Sequence, residues 1–458
     1  MVIVVGAGFA GVEAAWALAE RGQPVTLYEM RPDVQTPAHT TAYFAELVCS
    51  NSLKSKAPNS PAGLLKAEMD ALGSLVLRTA REHEVPGGQA LAVDRNHFGE
   101  AITAALDHHP LVTVVRSPFT PEMAETELAR GRRIILATGP LTSPDLAAWL
   151  ATLTGRKHLY FYDAVSPVVE ASSIDRTIAF AQSRYDKGEG DDYINCPFDK
   201  ETYHAFIHEL ITAERAPIHA FEAGGKRDAS PDEQEEAFLE KIQYFSGCTP
   251  IEAIADKGVD SLRFGNFKPV GLTDPRTGRR PYAALQLRPE NRELTLYSLV
   301  ACQTRLKWGE QARVFRMIPG LGEAEFVRFG VIHRNTYLDA PASLEPDLQL
   351  KGKPGLYIAG QLTGVEGYVE SAAMGIYAAL CVLGQLPEPP PRETAYGSLL
   401  AHLQDATERE FAPMNINWGL LPDRPEWEGR KIDKGVKRAE KVDRATVAFA
   451  EWRSRCSA

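Results

Sequence analysis

An apolar strand that breaks into Gly6-x-Gly8-x-x-Gly11, a second strand–glycine–helix unit near residue 360, and a long stretch of different character between them predict an α/β fold. The expected architecture is a Rossmann-like dinucleotide-binding domain, discontinuous in sequence, with an inserted α+β domain. The first unit occupies residues 1–31. Val2 to Val5 forms the strand, an Ala-rich helix follows to about Arg21, and Val25 to Tyr28 is a second strand ending at Glu29. In this pattern Gly6 allows a tight turn, Gly8 lets backbone approach a pyrophosphate, and Gly11 lets helix pack closely on strand. The helix N-terminus, around Ala7, Phe9 and Ala10, offers unpaired N–H groups and a partial positive charge to phosphates. Glu29, 18 residues past Gly11, is placed to accept hydrogen bonds from ribose hydroxyls, with Arg31 beside it.

The later elements follow in order. Residues 32–62, rich in Pro, Ser, Thr and Asn, read as loop with a short helical piece over Tyr43 to Val48. Residues 63–84 read as helical, Ala90 to Asp94 as strand and Arg95 to Asp107 as helix. Val112 to Arg116 and Arg133 to Thr138 are strands. The second of these runs through Ala-Thr into Gly139, like the second backbone contact of many two-dinucleotide-domain flavoproteins. From 156 to 315, aromatics and Pro/Gly turns mix with helices such as Thr202 to Ala213 and Asp232 to Tyr244, which marks the inserted domain. Gly355 to Ala359 is again an apolar strand, and it meets GQLTGVEGYVESAAMGIYAAL. There Gly360, Gly364 and Gly367, with Gln361, Val365 and Glu366 between them, are expected to let backbone approach a ligand at a helix N-terminus near Tyr368. The expected domains are 1–155 and 316–385 for the dinucleotide domain, 156–315 for the insertion, and 386–458 for a proline-rich linker (LPEPPPRE) and helical tail. Two glycine regions favour FAD over NAD, because FAD is long and needs a second contact zone near its ring.

Composition limits the alternatives. At 458 residues the chain exceeds the roughly 250–300 at which single cores stop growing. Its 44% hydrophobic and 24% charged content is ordinary for a globular protein. No apolar run approaches the ~18 residues of a membrane span, and Glu13 and Glu20 interrupt the N-terminal stretch, so cytoplasmic residence without a membrane partner is expected. Six cysteines without a CxxC or Cys/His cluster suggest neither a disulfide scaffold nor a metal. A net charge of −10 argues against nucleic-acid binding by the whole surface. Local basic patches remain at DPRTGRRP, with Arg279 and Arg280, and at 430–444, with Lys437 and Arg438.

Among the cysteines, Cys49 in FAELVCSNSLKS has a polar, Lys54-bearing context that suits a reactive thiol. Cys248 in FSGCTPIE precedes a helix, from Ile251 to Asp256, whose N-terminus favours thiolate. Cys196 in YINCPFDK competes with it; Cys302 and Cys381 lie in apolar or helical runs, and Cys456 in the tail.

These segments together closely resemble the bacterial folate- and FAD-dependent tRNA (uracil-5-)-methyltransferase family. The likeness spans nearly the whole chain: GAGFAGVEAA, LYEMRP, TPAHTT, LVCSNSLKS, GLLKAEM, ALAVDR, LATGPLTS, YDAVSPVV, YINCPF, GCTPIE, KPVGLTDPRTGRRPYA, VACQTRLKWGEQ, RMIPGL, HRNTYLDAP and GQLTGVEGYVESAA. The resemblance implies a one-carbon transfer from 5,10-methylenetetrahydrofolate, reduced by NADH or NADPH through FAD, to carbon 5 of the T-loop uridine of tRNA. It also implies that Cys49 and Cys248 are the paired functional thiols, with Cys49 expected as the nucleophile at carbon 6 and Cys248 as the assisting group. For the folate pterin, His333 is the expected stacking partner, with Arg334, Asn335 and Thr336 as nearby polar groups; the alternative is that this segment only packs under the ring. Lys307 and Trp308 either face RNA or serve the inserted fold. The competing expectations are the same chemistry on a ribosomal RNA uridine, a catalytically silent flavin- and RNA-binding protein, and a flavin thiol oxidoreductase. The paired cysteines speak against the silent protein, and the missing CxxC against the oxidoreductase.

Overall fold

A computed structural model describes residues 1–36, 38–155, 159–164, 166–186, 191–216, 249–330, 332–386, 388–405, 411–428 and 430–456; for 159–164 and 332–334 only the backbone is described. The first domain is a five-stranded parallel sheet of β1 (Val2–Val5), β2 (Val25–Glu29), β6 (Val112–Arg116), β7 (Arg133–Leu136) and β16 (Leu356–Ile358), in the order β16-β7-β1-β2-β6. The last strand therefore returns to the sheet that the first one founded. β1 is apolar at every position because it is central and buried on both faces.

Helix α1 (Phe9–Ala19) is buried almost all round, since the helix Tyr368–Leu383 packs closely along it. Its small residues are what permit that approach. A β-carbon at Gly375 would sit 2.1 Å from the Ala10 carbonyl oxygen, and one at Gly11 would sit 1.7 Å from that of Gly6. Helices α2 (Pro61–Ala71), α3 (Leu75–Glu82) and α4 (Arg95–Asp107) complete this side, with a small antiparallel sheet of β3 (Ser52–Ser55), β4 (Glu84–Val85) and β5 (Ala90–Val93). Asp94 caps α4 through the amides of Asn96 and His97.

The insertion leaves through β8 (Leu159–Ala164) and returns through β15 (Ile332–Tyr337), which pair antiparallel. Beyond them lies a six-stranded sheet of β9 (Val168–Glu170), β10 (Phe180–Ala181), β11 (Ile194–Phe198), β12 (Ala283–Pro289), β13 (Leu296–Leu299) and β14 (Phe326–Arg328), in the order β10-β11-β12-β13-β9-β14. The helix Lys200–Thr212 packs Tyr203, Phe206 and Leu210 into its core with Phe198 and Phe267. Because β14 adds to this sheet, the unit runs past the boundary expected after residue 315.

One local expectation fails. Tyr43 to Val48 forms turns, not a helix: Ala45 has φ +46° and donates its amide to the Ala7 carbonyl, while Phe44 is buried. The helical tail packs on the first domain. Glu68 of α2 accepts hydrogen bonds from the Ala395 and Tyr396 amides (2.8 and 2.9 Å) and so caps the helix Ala395–Leu403. Phe449 and Trp452 of the C-terminal helix join the first domain's core. The expected helix Asp232 to Tyr244 lies outside the described residues.

Candidate active site

The C-terminal ends of the parallel strands open into a cavity, in the crevice where open α/β sheets bind ligands. Gly6, Gly8, Phe9 and Ala10 line it from the first turn, Glu29 and Arg31 from the end of β2, Gly139 and Pro140 from beyond β7, and Gly360 and Gln361 from beyond β16. Gly8 has φ −75°, and a β-carbon built there meets nothing within 4 Å. Neither backbone nor packing demands glycine at that position, so the open space beside it suits a ligand at the N-terminus of α1. Ala7 and Gly11 act from behind the lining: Ala7 donates its amide to Glu29 (2.9 Å), and Gly11 packs on Gly6.

Glu29 is held as an anion. Burial alone would push its carboxyl up, but the Arg31 guanidinium (2.9 Å) and the Arg31 and Ala7 amides outweigh burial and keep it below the usual carboxylate range. Arg31 also pairs with Glu46 at 2.8 Å, and His39 beside them is lowered to about 4 by burial and by Arg31, so it is neutral at pH 7. Thr36, His39 and Glu46 line the cavity too; no spacing rule in the sequence pointed to them.

Another part of the lining is aromatic. Tyr368, at the start of the helix Tyr368–Leu383, stacks on Phe9 at 4.6 Å. Its hydroxyl accepts the Cys49 amide and lies 2.8 Å from the Cys49 Sγ. Burial pushes the phenol far above its ordinary pKa, so it keeps its proton and can donate to a Cys49 thiolate. Lys54, which the sequence suggested as the cation for this thiol, is committed elsewhere: it pairs with buried Glu370 at 2.7 Å. Cations that act on Cys49 include Arg95, Arg288 and Arg328. Arg288 donates to Asn51 and Ser50 (both 2.9 Å), and Asn51 donates to the Val93 and Pro289 carbonyls. These bonds fasten the cysteine loop of the first domain to β12 of the second.

Other expected residues fall variously. Cys248 lies outside the described residues. Cys196 is not a competitor: it is fully buried in β11, and burial pushes its thiol up to about 12. Cys302 and Cys381 are likewise raised by burial. Gly364, Val365, Glu366 and Gly367 are not in the cavity lining. Gly364 lies against the Phe411 ring, and Gly367 against Glu370 and Lys54. His333 and Arg334 run in β15, Asn335 is buried there, and the Thr336 amide donates to the lining residue Pro140 (2.9 Å), which holds the strand at the cavity's rim.

Of the basic patches, Arg279 and Arg280 stand exposed at a turn whose Arg276 is neutralised by Asp274 at 2.7 Å. In the tail, Lys437 and Lys441 both pair with Asp423, while Arg438 lies over Trp418 at 5.6 Å. No helix among the described residues is long and apolar enough to cross a membrane.

Residues 1–388 match the family described as glucose inhibited division protein A. The chain is 52% identical to the methylenetetrahydrofolate–tRNA-(uracil-5-)-methyltransferase TrmFO of Moorella thermoacetica, with 92% of each chain covered. It is 51% identical to the enzyme of the same name from Desulforudis audaxviator, with 98% of each covered. Among solved structures it is similar to Aquifex aeolicus GidA, with a TM-score of 0.63 at 17% identity, covering 98% of this chain and 73% of that one. At that identity the likeness establishes the shared fold.

Proposed function

The chain belongs to the methylenetetrahydrofolate–tRNA-(uracil-5-)-methyltransferase family, and from that membership we propose that it methylates carbon 5 of the T-loop uridine of tRNA, taking the one-carbon unit from 5,10-methylenetetrahydrofolate. The observation that carries this reading is the identity of about half of all residues along nearly the whole chain. FAD fits the cavity: Gly6, Gly8 and the α1 N-terminus would take its pyrophosphate, Glu29 its ribose, and Gly360, Gln361 and Tyr368 would lie toward its ring. When bound, FAD supplies the reducing electrons for the one-carbon unit, replenished by NADH or NADPH.

The chain's own residues then handle positioning and protons. Carbon 5 of uracil is a poor nucleophile until a thiolate adds at carbon 6, and a base must afterwards take the carbon 5 proton so that the thiol can leave. Cys49 and Cys248 are the two thiols for these tasks, with Cys49 proposed as the nucleophile. Tyr368 orients the Cys49 Sγ and stabilises its anion, and Arg95 and Arg288 add positive charge behind it. His333, Arg334 and Asn335 on the rim strand are proposed to hold the pterin.

The test is formation of 5-methyluridine in a T-arm RNA. We expect dependence on methylenetetrahydrofolate and a reduced nicotinamide, and none on S-adenosylmethionine; activity with S-adenosylmethionine alone rejects the proposal. Alanine at Cys49 or Cys248 should abolish methylation while FAD stays bound. With 5-fluorouridine RNA, which traps the carbon 6 adduct, Cys248→Ala should still form the covalent complex and Cys49→Ala should not. The opposite pattern exchanges the two roles.

A further inference from the structure

Among the described residues, the charges around the Cys49 loop do not balance. Arg95, Arg288 and Arg328 all act on the Cys49 thiol, and among the described residues the carboxylate of Glu290 acts on all three. Glu290 is already paired with Arg95, and Arg288 is spent on Asn51 and Ser50. Arg328, on the edge strand β14, has no ion-pair partner within 4.0 Å among the described residues, and its Nε and Nη2 are buried without a hydrogen-bond acceptor. A guanidinium edge left in this state is costly unless an acceptor arrives. Nε and Nη2 form one edge of the fork, whose two parallel N–H groups match two oxygens of a phosphate.

The residues beside Arg328 extend this feature outward. Phe329 follows it directly and stacks on Phe326 at 5.4 Å and on Trp308 at 6.0 Å, with the outer pair of rings only 16° apart. Trp308 remains 62% exposed. Gln311, in the helix that Trp308 begins, holds Gly330 by two hydrogen bonds (2.9 and 2.7 Å), so this ladder of rings is braced in place. An exposed indole supported by two stacked rings is a platform of the type on which unpaired bases stack.

We propose that Arg328 and Trp308 form a nucleotide clamp, Arg328 holding a phosphodiester beside the uridine presented to Cys49 and Trp308 stacking a neighbouring unpaired base. The inference rests on the RNA-methylating reading above and adds a contact near the reacting base to the outlying Arg279–Arg280 turn and the C-terminal patch. A carboxylate of the folate tail also fits a guanidinium fork. The excess of positive charge, continued by an exposed stacking surface, fits instead a polyanion that runs on past the site.

The test uses the FAD-loaded full-length enzyme, a T-arm hairpin RNA and a titration of affinity against salt. Arg328→Gln should weaken binding by about tenfold and lower the slope of log affinity against log salt by about 1. Trp308→Ala should weaken binding by roughly tenfold with the slope unchanged, and Trp308→Phe should recover most of that loss. Arg328→Lys keeps the charge and loses the fork, so it should retain the slope while losing affinity; it also carries the test if Arg328→Gln fails to hold FAD. FAD content and the KM for methylenetetrahydrofolate should not move. Unchanged RNA affinity and slope in the Arg328 variants overturn the clamp, as does a rise confined to the folate KM. A wild-type enzyme that binds the hairpin but never methylates it refutes the functional reading and leaves the clamp measurement standing.

Discussion

The glycine turn before α1 and the one before the helix Tyr368–Leu383 are alike in sequence, and they differ in what fills the space beside them. At Gly8 the space is empty and the backbone is one that any residue adopts, so the demand for glycine comes from outside the chain. At Gly364 the φ is +93° and a β-carbon would lie 2.4 Å from the Phe411 ring; at Gly367 the φ is +114° and Glu370 and Lys54 stand within 2.6 Å. There the demand comes from inside. The later turn is a packing device that sets the N-terminus of the helix Tyr368–Leu383, and through it Tyr368, against the cavity. Glycines before a helix therefore do not by themselves mark ligand contact. What distinguishes the two cases is whether a side chain would collide with the protein or only with something the protein binds.

Substitutions can break that distinction. The largest expected effect is at Gly8: Gly8→Val should lower FAD affinity by more than about tenfold, equivalent to more than ~1.4 kcal/mol, while the protein stays folded. A folded Gly8→Val enzyme with full flavin absorbance would remove the basis for placing the pyrophosphate there. Next comes Gly375→Ala on the helix that follows the later turn. It forces a methyl group to within 2.1 Å of the Ala10 carbonyl and should cost ~3 kcal/mol of folding stability, the upper end for overpacking. Denaturant titration should show a lower midpoint at unchanged slope, with any flavin loss following stability. Wild-type stability in this variant would mean that the two helices are not held this close.

Gly364→Ala should cost less, about 1–3 kcal/mol from the left-handed backbone and the Phe411 contact together. Adding Phe411→Ala should return part of that loss, a coupling that a purely ligand-facing glycine would not show. Strict additivity of the two changes would argue against the packing role.

The smallest effect concerns the carboxylates that cap helices across the first domain. Burial raises the Glu68 carboxyl from 4.5 to about 8, and that of Glu13, which caps α3 through the Leu75 and Val76 amides, to about 7. Their unfolded counterparts titrate near 4.5, so between those values the folded state binds more protons. Their contribution to stability is fully present below pH 4.5 and is lost as pH rises through 7 and 8. Glu68→Gln should therefore flatten the decline in melting temperature with rising pH. Parallel declines in variant and wild type would show that Glu68 is ionised throughout.

What local sequence controls was legible. β1, β2 and β6 follow from apolar runs, and α4 begins where Asp94 caps it, because strands and caps are decided by residues a few positions apart. The cavity's first wall and its glycine turn were readable for the same reason, and the family likeness was carried by motifs spread along the chain. The tertiary structure decided the rest. Ala45 turns instead of entering a helix because its amide is taken by Ala7, and the tail docks because Glu68 caps a helix that starts at Ala395. Tyr368 stood in a motif already singled out, yet its meeting with Cys49 joins residues 319 apart. Arg288 and Arg328 carried no motif at all. Their place beside the thiol exists only because one loop and two strands from different domains converge there, and side-chain chemistry assembled across that distance leaves no periodicity or spacing in the chain.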